Sequence, residues 1–342
     1  MTRQRVVPGL EVAGYARHML HADDRVWLEK NCYVDVCIEM LHALGAEPLA
    51  ALGSCAAVDF EGDNFTFYKP SHDELRSLYG VDIQELNVWL PLVEHAVQHL
   101  GDGKFISTEA DAFHLPDTAG TDYHRNHVKT TIILADLDVE GRRLGYFHNA
   151  GYYALDGEDF DRLFRLGVAP DPAFLPLFAE LVRVDRLVRR PAGELAPMAM
   201  ALLAIHVARR PAENPVVKFQ HRFERDLPWL QEKGLAHYHI WAFATVRQMG
   251  AAFELLALHL RWLGEAGQGA GLTLAADEFE RVSHSAKTFI LKAARAVNNR
   301  KKFDASSTFD EMAGGWERGM ASLVQLVQLP ARVGSSPSGH GS

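Results

Sequence analysis

The chain has 342 residues, 48% of them hydrophobic and 23% charged. That is enough apolar content for two domains or one large one, and it argues against a disordered, collagen-like or disulfide-scaffold chain. Thirty-five Lys and Arg against 44 Asp and Glu leave a net charge of −9. This is a poor balance for a general nucleic-acid binder, which needs a local excess of cations.

The first sharp element is NCYVDVCIEMLHALG (31–45). Val34, Cys37, Ile38, Leu41 and Leu44 share one helical face, Asn31 is a good N-cap and Gly45 supplies the stop. DNFTFYK (63–69) is rich in aromatic and β-branched residues and reads as a strand. SHDELRSLYG (71–80) opens with Ser71 and Glu74, a capping box, and ends at Gly80. PLVEHAVQHLG (91–101) has Pro91 at its start and Gly101 at its end. GKFISTEA (103–110), HVKTTIILA (127–135) and RLGYFHNA (143–150) read as strands. The polar turn DLDVEGR makes the last two an antiparallel hairpin. From Asp156 onward the pattern is almost entirely helical, with apolar residues at i, i+3 and i+4 and short Pro/Gly breaks. The helical segments begin with DPAFLPLFAELVRVDRLVRR (171–190) and include one long segment from Leu235 to about Glu265. The tail VGSSPSGHGS is Ser/Gly-rich and reads as disordered. The expected class is α+β: a mixed domain over 1–155, a helical domain over 156–330 and a tail over 331–342.

Three cysteines, Cys32, Cys37 and Cys55, do not build a disulfide framework and suit a reducing compartment. No apolar segment of secretory or membrane-spanning length occurs. The expectation is a cytoplasmic protein without a membrane partner.

Cys32 falls in the first turn of its helix, where unpaired N–H groups and the helix dipole stabilise a thiolate and form part of an oxyanion hole. The bland alternative is a small buried hydrophobe. A thiol nucleophile wants a base, and the base an orienting partner. His127 opens a strand, and the hairpin returns His148, Asn149 and Gly151 beside it. Cys32, His127 and Asn149 then form a candidate triad, with His148 as rival base and rival third member.

The strings NCYVDVCIEMLHALG, AVDFEGDNFTFYK, DIQELNVW, EADAFHLPDTAGTDYHRNHVKTT and GYFHNAGYYAL resemble a bacterial family of cysteine peptidase-like proteins. That family is associated with aminoacyl carrier proteins and amino acid:carrier-protein ligases, and is similar to the butirosin biosynthesis protein H group. The resemblance implies a papain-like fold in the first half, with Cys32 as nucleophile, His127 as base and Asn149 as the orienting residue. It also implies acyl transfer: an aminoacyl group leaves a phosphopantetheine thioester, rests on Cys32 and passes to an unnamed acceptor. Asn31 or backbone N–H groups are candidates for the oxyanion hole. Asp111 is the candidate for holding a substrate ammonium. No cofactor is expected beyond the phosphopantetheine arm that the carrier brings. A cysteine hydrolase on the same triad, thioesterase or peptidase, and a non-catalytic carrier-binding module are the alternatives.

An acidic carrier needs a basic docking patch. One candidate is Arg183, Arg186, Arg189 and Arg190. The denser one, and the expected docking surface, is Lys287, Lys292, Arg295, Arg300, Lys301 and Lys302. HAVQH (95–99) lacks the Glu of a zinc-protease helix, and no Cys/His cluster occurs, so no metal is expected. GQGAG (267–271) joins two helices instead of following a strand, and reads as a linker.

Overall fold

The structure, a computed structural model, describes residues 3–169, 173 and 175–328. The Ser/Gly-rich tail lies outside the described residues. In chain order the mixed part contains β1 (Gln4–Arg5), α1 (Cys32–Ala43), α2 (His72–Tyr79), β2 (Asp82–Glu85), α3 (Leu92–Gly101), β3 (Phe105–Asp111), β4 (Lys129–Asp138), β5 (Arg143–His148), β6 (Gly151–Asp156), α4 (Gly157–Leu163) and β7 (Ala179–Arg183). The helical part contains α5 (Ala192–Ala208), α6 (Pro215–Lys233), α7 (Leu235–Ala242), α8 (Gln248–Glu265), α9 (Gly271–Asn298) and α10 (Ser306–Gln328).

The strands form one antiparallel sheet in the order β2-β7-β3-β4-β5-β6, with β1 on the free end of β4. The central strand β4 is apolar on both sides, because both faces of the sheet are covered. Ile132 and Leu134 join Tyr146, Leu100 and Phe160 in a core under α3 and α4. Ile133 and Ala135 join Phe147 and α1 in the larger core, which continues into the helical part. The mixed part therefore stacks α3 and α4, then the sheet, then α1, with the helical part beyond. Residues 33–41 of α1 are buried without a break, as expected for a helix enclosed on every side.

Three local expectations are corrected. DNFTFYK forms no strand. Phe65 makes a single bridge to Phe60, and its N–H is taken by the Ala244 carbonyl of the helical part at 3.0 Å. The segment read as a helix over 171–190 contains β7, which inserts between β2 and β3. The mixed unit thus runs past the expected break at Asp156. Finally, the long helix expected from Leu235 is interrupted at Phe243–Arg247 by a π-helical turn between α7 and α8. There Thr245 Oγ1 donates to the Trp241 carbonyl at 2.8 Å, a bond that competes with the helical ladder. Such turns are frequent at functional sites.

The helical part also fixes the segment that leads to Cys32. Glu254 on α8 accepts from Val26 N at 2.8 Å and Trp27 N at 3.2 Å, and Trp27 Nε1 donates to Ser283 Oγ on α9 at 2.9 Å. Gly250 leaves room for the indole, since a Cβ there would lie 2.5 Å from Trp27 Cζ2.

Candidate functional site

Asn31 caps α1. Its Oδ1 accepts from Tyr33 N at 3.2 Å and Val34 N at 2.9 Å, and its Nδ2 donates to the Tyr68 carbonyl at 2.9 Å. Asp35 N reaches the Asn31 carbonyl at 3.1 Å. Among the described residues the Cys32 N–H has no hydrogen-bond partner, so the backbone amide of Cys32 is the free donor in this first turn, while the Asn31 side chain is occupied as a cap. We expect Asn31→Ala to cost about 1–2 kcal/mol of stability, the usual loss for a removed cap. Chemical denaturation would measure it. A loss near zero would show that water replaces the cap.

Cys32 is the one cysteine that is not buried. Burial pushes the Cys37 and Cys55 thiols up, away from the thiolate form. Cys32 Sγ donates to Thr131 Oγ1 on β4 at 3.5 Å. It opens into a cavity of about 480 Å³ whose walls include Asn31, Lys30, Asp117, Asp122, Thr130, His148, Asn149, Phe243 and Arg247. The π-helical turn thus brings Phe243 and Arg247 from the helical part to this cavity. Arg247 stands 5.4 Å from the Phe243 ring and donates to the Glu29 carbonyl at 3.1 Å.

Of the expected triad, the cavity gathers Cys32 and Asn149 but not His127. The His127 side chain is 72% exposed and stacks on Phe113. Its Nδ1 donates to Asp111 Oδ2 at 2.6 Å. Burial works against the Asp111 carboxylate, but this bond and the Phe113 amide outweigh it and hold Asp111 below the usual carboxylate range. Asp111 is therefore the partner of His127, and it too lies outside the cavity walls. Among the described residues no hydrogen bond joins His127 to Asn149. Asn149 instead turns the chain between β5 and β6 with φ at 43°, a left-handed conformation that Asn tolerates.

The imidazole that lines the cavity is His148, 1% exposed. Its Nδ1 donates to Asp117 Oδ2 at 2.5 Å, which leaves Nε2 to accept from the Thr130 hydroxyl at 2.8 Å. Tyr146 O–H donates to the other Asp117 oxygen, Oδ1. Thr130 and Thr131 are consecutive on β4, so their side chains leave on opposite faces of the strand. One meets His148 and the other meets Cys32. Past His148 the strand β5 has turned away, and the start of β4 is the open edge around which the cavity forms. Sequence spacing pointed to the hairpin but not to Asp117 as the partner of His148. The one local signal for it was HLPDT, a Pro-Asp turn close before the strand.

Residues 16–184 match the DUF1839 N-terminal domain, and residues 192–325 match the DUF1839 C-terminal domain. The chain belongs to the DUF1839 family. No curated protein matches it. The two matches meet between residues 184 and 192, directly after β7, which agrees with the mixed unit ending past Arg183.

The basic surfaces of this DUF1839 chain differ in kind. Arg183 pairs with Asp82 at 2.8 Å, Arg189 Nε donates to the Leu44 carbonyl at 2.6 Å, and Arg190 to the Leu78 carbonyl. These arginines are largely committed to holding the chain. Lys292, Arg295, Arg300, Lys301 and Lys302 are exposed, and none of them joins an ion pair among the described residues. Lys287 begins this stripe, 4.5 Å from the Trp27 ring. Among the described residues no helix is long and apolar enough to cross a membrane, and no group of three His, Cys, Asp or Glu side chains is placed to hold a metal ion.

Proposed function

We propose that this DUF1839 protein is a cysteine acyltransferase that takes an aminoacyl group from a carrier-protein thioester. The observation that carries the reading is the position of Cys32: an unburied thiol at a capped helix start, beside a free backbone N–H, in a cavity that also holds an Asp-paired imidazole. A helix-borne cysteine against an antiparallel hairpin supports a papain-like arrangement of the mixed unit. In the first step Cys32 Sγ bonds to the thioester carbon, and the Cys32 N–H faces the developing oxyanion. The bond to the pantetheine sulfur breaks, and that sulfur leaves with the thiol proton. The exchange of one thioester for another is close to balanced and needs no ATP. In the second step an amine attacks the acyl-Cys32 carbon, the C–Sγ bond breaks, and the amine proton passes by way of His148 to Sγ. His148 takes the base role expected of His127: it lines the same cavity from the other face of β4, and it serves once Nε2 leaves the Thr130 hydroxyl. The exposed cations from Lys287 to Lys302 suit an acidic carrier.

A second reading, a carrier-binding protein without turnover, draws on the fact that the β4 side chain facing Cys32 is Thr131 and not an imidazole. One experiment separates the readings. The protein is mixed with an aminoacylated carrier and its intact mass recorded beside that of Cys32→Ala. A gain equal to the aminoacyl group, absent in the variant, is the expected result. Deacylated carrier without an adduct would make the protein a thioesterase. Intact aminoacyl carrier and unmodified protein would leave the binding module.

A further inference from the structure

The charges around the Cys32 cavity do not balance, and the excess identifies a subsite. Four carboxylates line it among the described residues: Glu29, Asp35, Asp117 and Asp122. Glu29 faces Arg247 at 3.8 Å. Asp35 accepts from His21 at 2.9 Å and from the Lys30 backbone at 2.8 Å. Asp117 holds His148. The cation at the mouth, Lys129, is taken by Glu109 at 3.3 Å, and the buried Lys30 turns its Nζ to the Leu20 and Leu28 carbonyls. Asp122 is left. Among the described residues its Oδ1 accepts only a neutral amide, Asn126 Nδ2, at 3.3 Å, and no ion pair reaches it.

We infer that Asp122 is the binding site for the ammonium group of the substrate, and so selects aminoacyl over simple acyl thioesters. A half-buried carboxylate without a cation favours a ligand that brings one, and a charge-assisted hydrogen bond is about twice as strong as a neutral one. The turn around Asp122 holds it in place: Asp122 N donates to the Thr118 carbonyl at 2.9 Å, and Arg125 N to the Asp122 carbonyl at 2.8 Å. This is the role expected of Asp111, moved eleven residues along the chain to a carboxylate that lines the cavity. The assignment rests on Cys32 being acylated.

The test compares alanyl-pantetheine with propionyl-pantetheine, two three-carbon acyl thioesters that differ by the amine. The rate of Cys32 acylation is followed by intact mass. Wild type should favour the alanyl compound by on the order of 10-fold, the size of one hydrogen bond to a charged group. Asp122→Asn keeps the bond from Asn126 and should remove that preference, so that the alanyl and propionyl compounds acylate Cys32 at similar rates. Asp122→Glu should keep part of it. Acylation by both compounds with an unchanged preference in Asp122→Asn would overturn the Asp122 assignment and leave the acyl-enzyme reading standing. No acylation of wild type by either compound would overturn both.

Discussion

Replacing His148 with glutamine is expected to slow the loss of the acyl group from Cys32 to a small amine by 10²–10⁴-fold, the usual contribution of a positioned general base. Formation of the adduct should be far less affected, since thioester exchange generates a leaving thiol of similar basicity. His127→Ala should leave both steps close to wild type, because its ring lies on Asp111 outside the cavity. Single-turnover mass spectrometry reads the two steps separately. The separation matters, because His148 is buried against Asp117 and its removal also lowers stability. A variant that merely unfolds loses both steps together, whereas a missing base slows only the second. If His127→Ala slows release and His148→Gln does not, the proton-handling role belongs to the His127–Asp111 pair at the rim.

The second large effect concerns stability. His21→Ala should destabilise the protein by about 3–5 kcal/mol, the range for breaking a buried charge pair. His21 is fully buried between two carboxylates of α1: Nδ1 on Glu39 and Nε2 on Asp35. Tyr15 O–H also donates to Glu39, at 2.6 Å, and the fully buried Lys30 donates its Nζ to the Leu20 and Leu28 carbonyls. Without the imidazole, Asp35 and Glu39 face each other with one cation fewer. Burial disfavours the charged ring, but its bonds to Asp35 and Glu39 outweigh this and raise the His21 pKa above its ordinary value. Its contribution is therefore complete below about pH 6.5, the unfolded value, and is lost as the pH rises through the folded value. Burial raises Glu39, but the His21 bond outweighs it and the net direction is down. That contribution is present above about pH 4.3 and is lost as the pH falls through the folded value. Burial lowers Lys30, with partial relief from Asp35, so its penalty at neutral pH fades as the solution becomes alkaline. The difference in urea stability between wild type and His21→Ala should be largest between about pH 4.5 and 6.5 and should shrink on the alkaline side. A difference below about 1 kcal/mol across that range would show that the network is replaceable.

The parts of the site that were legible in the sequence are those set by neighbours along the chain. Asn31 caps Cys32 because the bonding partners lie two and three residues on, and Gly45 ends the helix at φ 69° as a glycine can. The hairpin of β4 and β5 was legible from its alternation and its turn. Other segments carried two periods at once. FAELVRV satisfies a helical spacing as well as an alternating one, and only the vacancy between β2 and β3 settles it as a strand. DNFTFYK has strand composition but finds no strand to pair with, since its Phe65 N–H is claimed from the helical part.

Caps, turns and periodicity act over a few residues, and they placed a cysteine at a helix start beside an antiparallel hairpin, followed by a helical domain. Which histidine shares its cavity followed from long-range packing. That choice depends on the parity of Thr130 and Thr131 across β4, on the turn at Asn149, and on Asp117 arriving from 31 residues before His148. Long-range packing also brought Arg247 from over 200 residues away to the same cavity. Side-chain facing in a sheet reverses with every residue, so a one-residue difference in the register of β5 exchanges His148 and Asn149. Packing on both faces of the sheet resolves that difference.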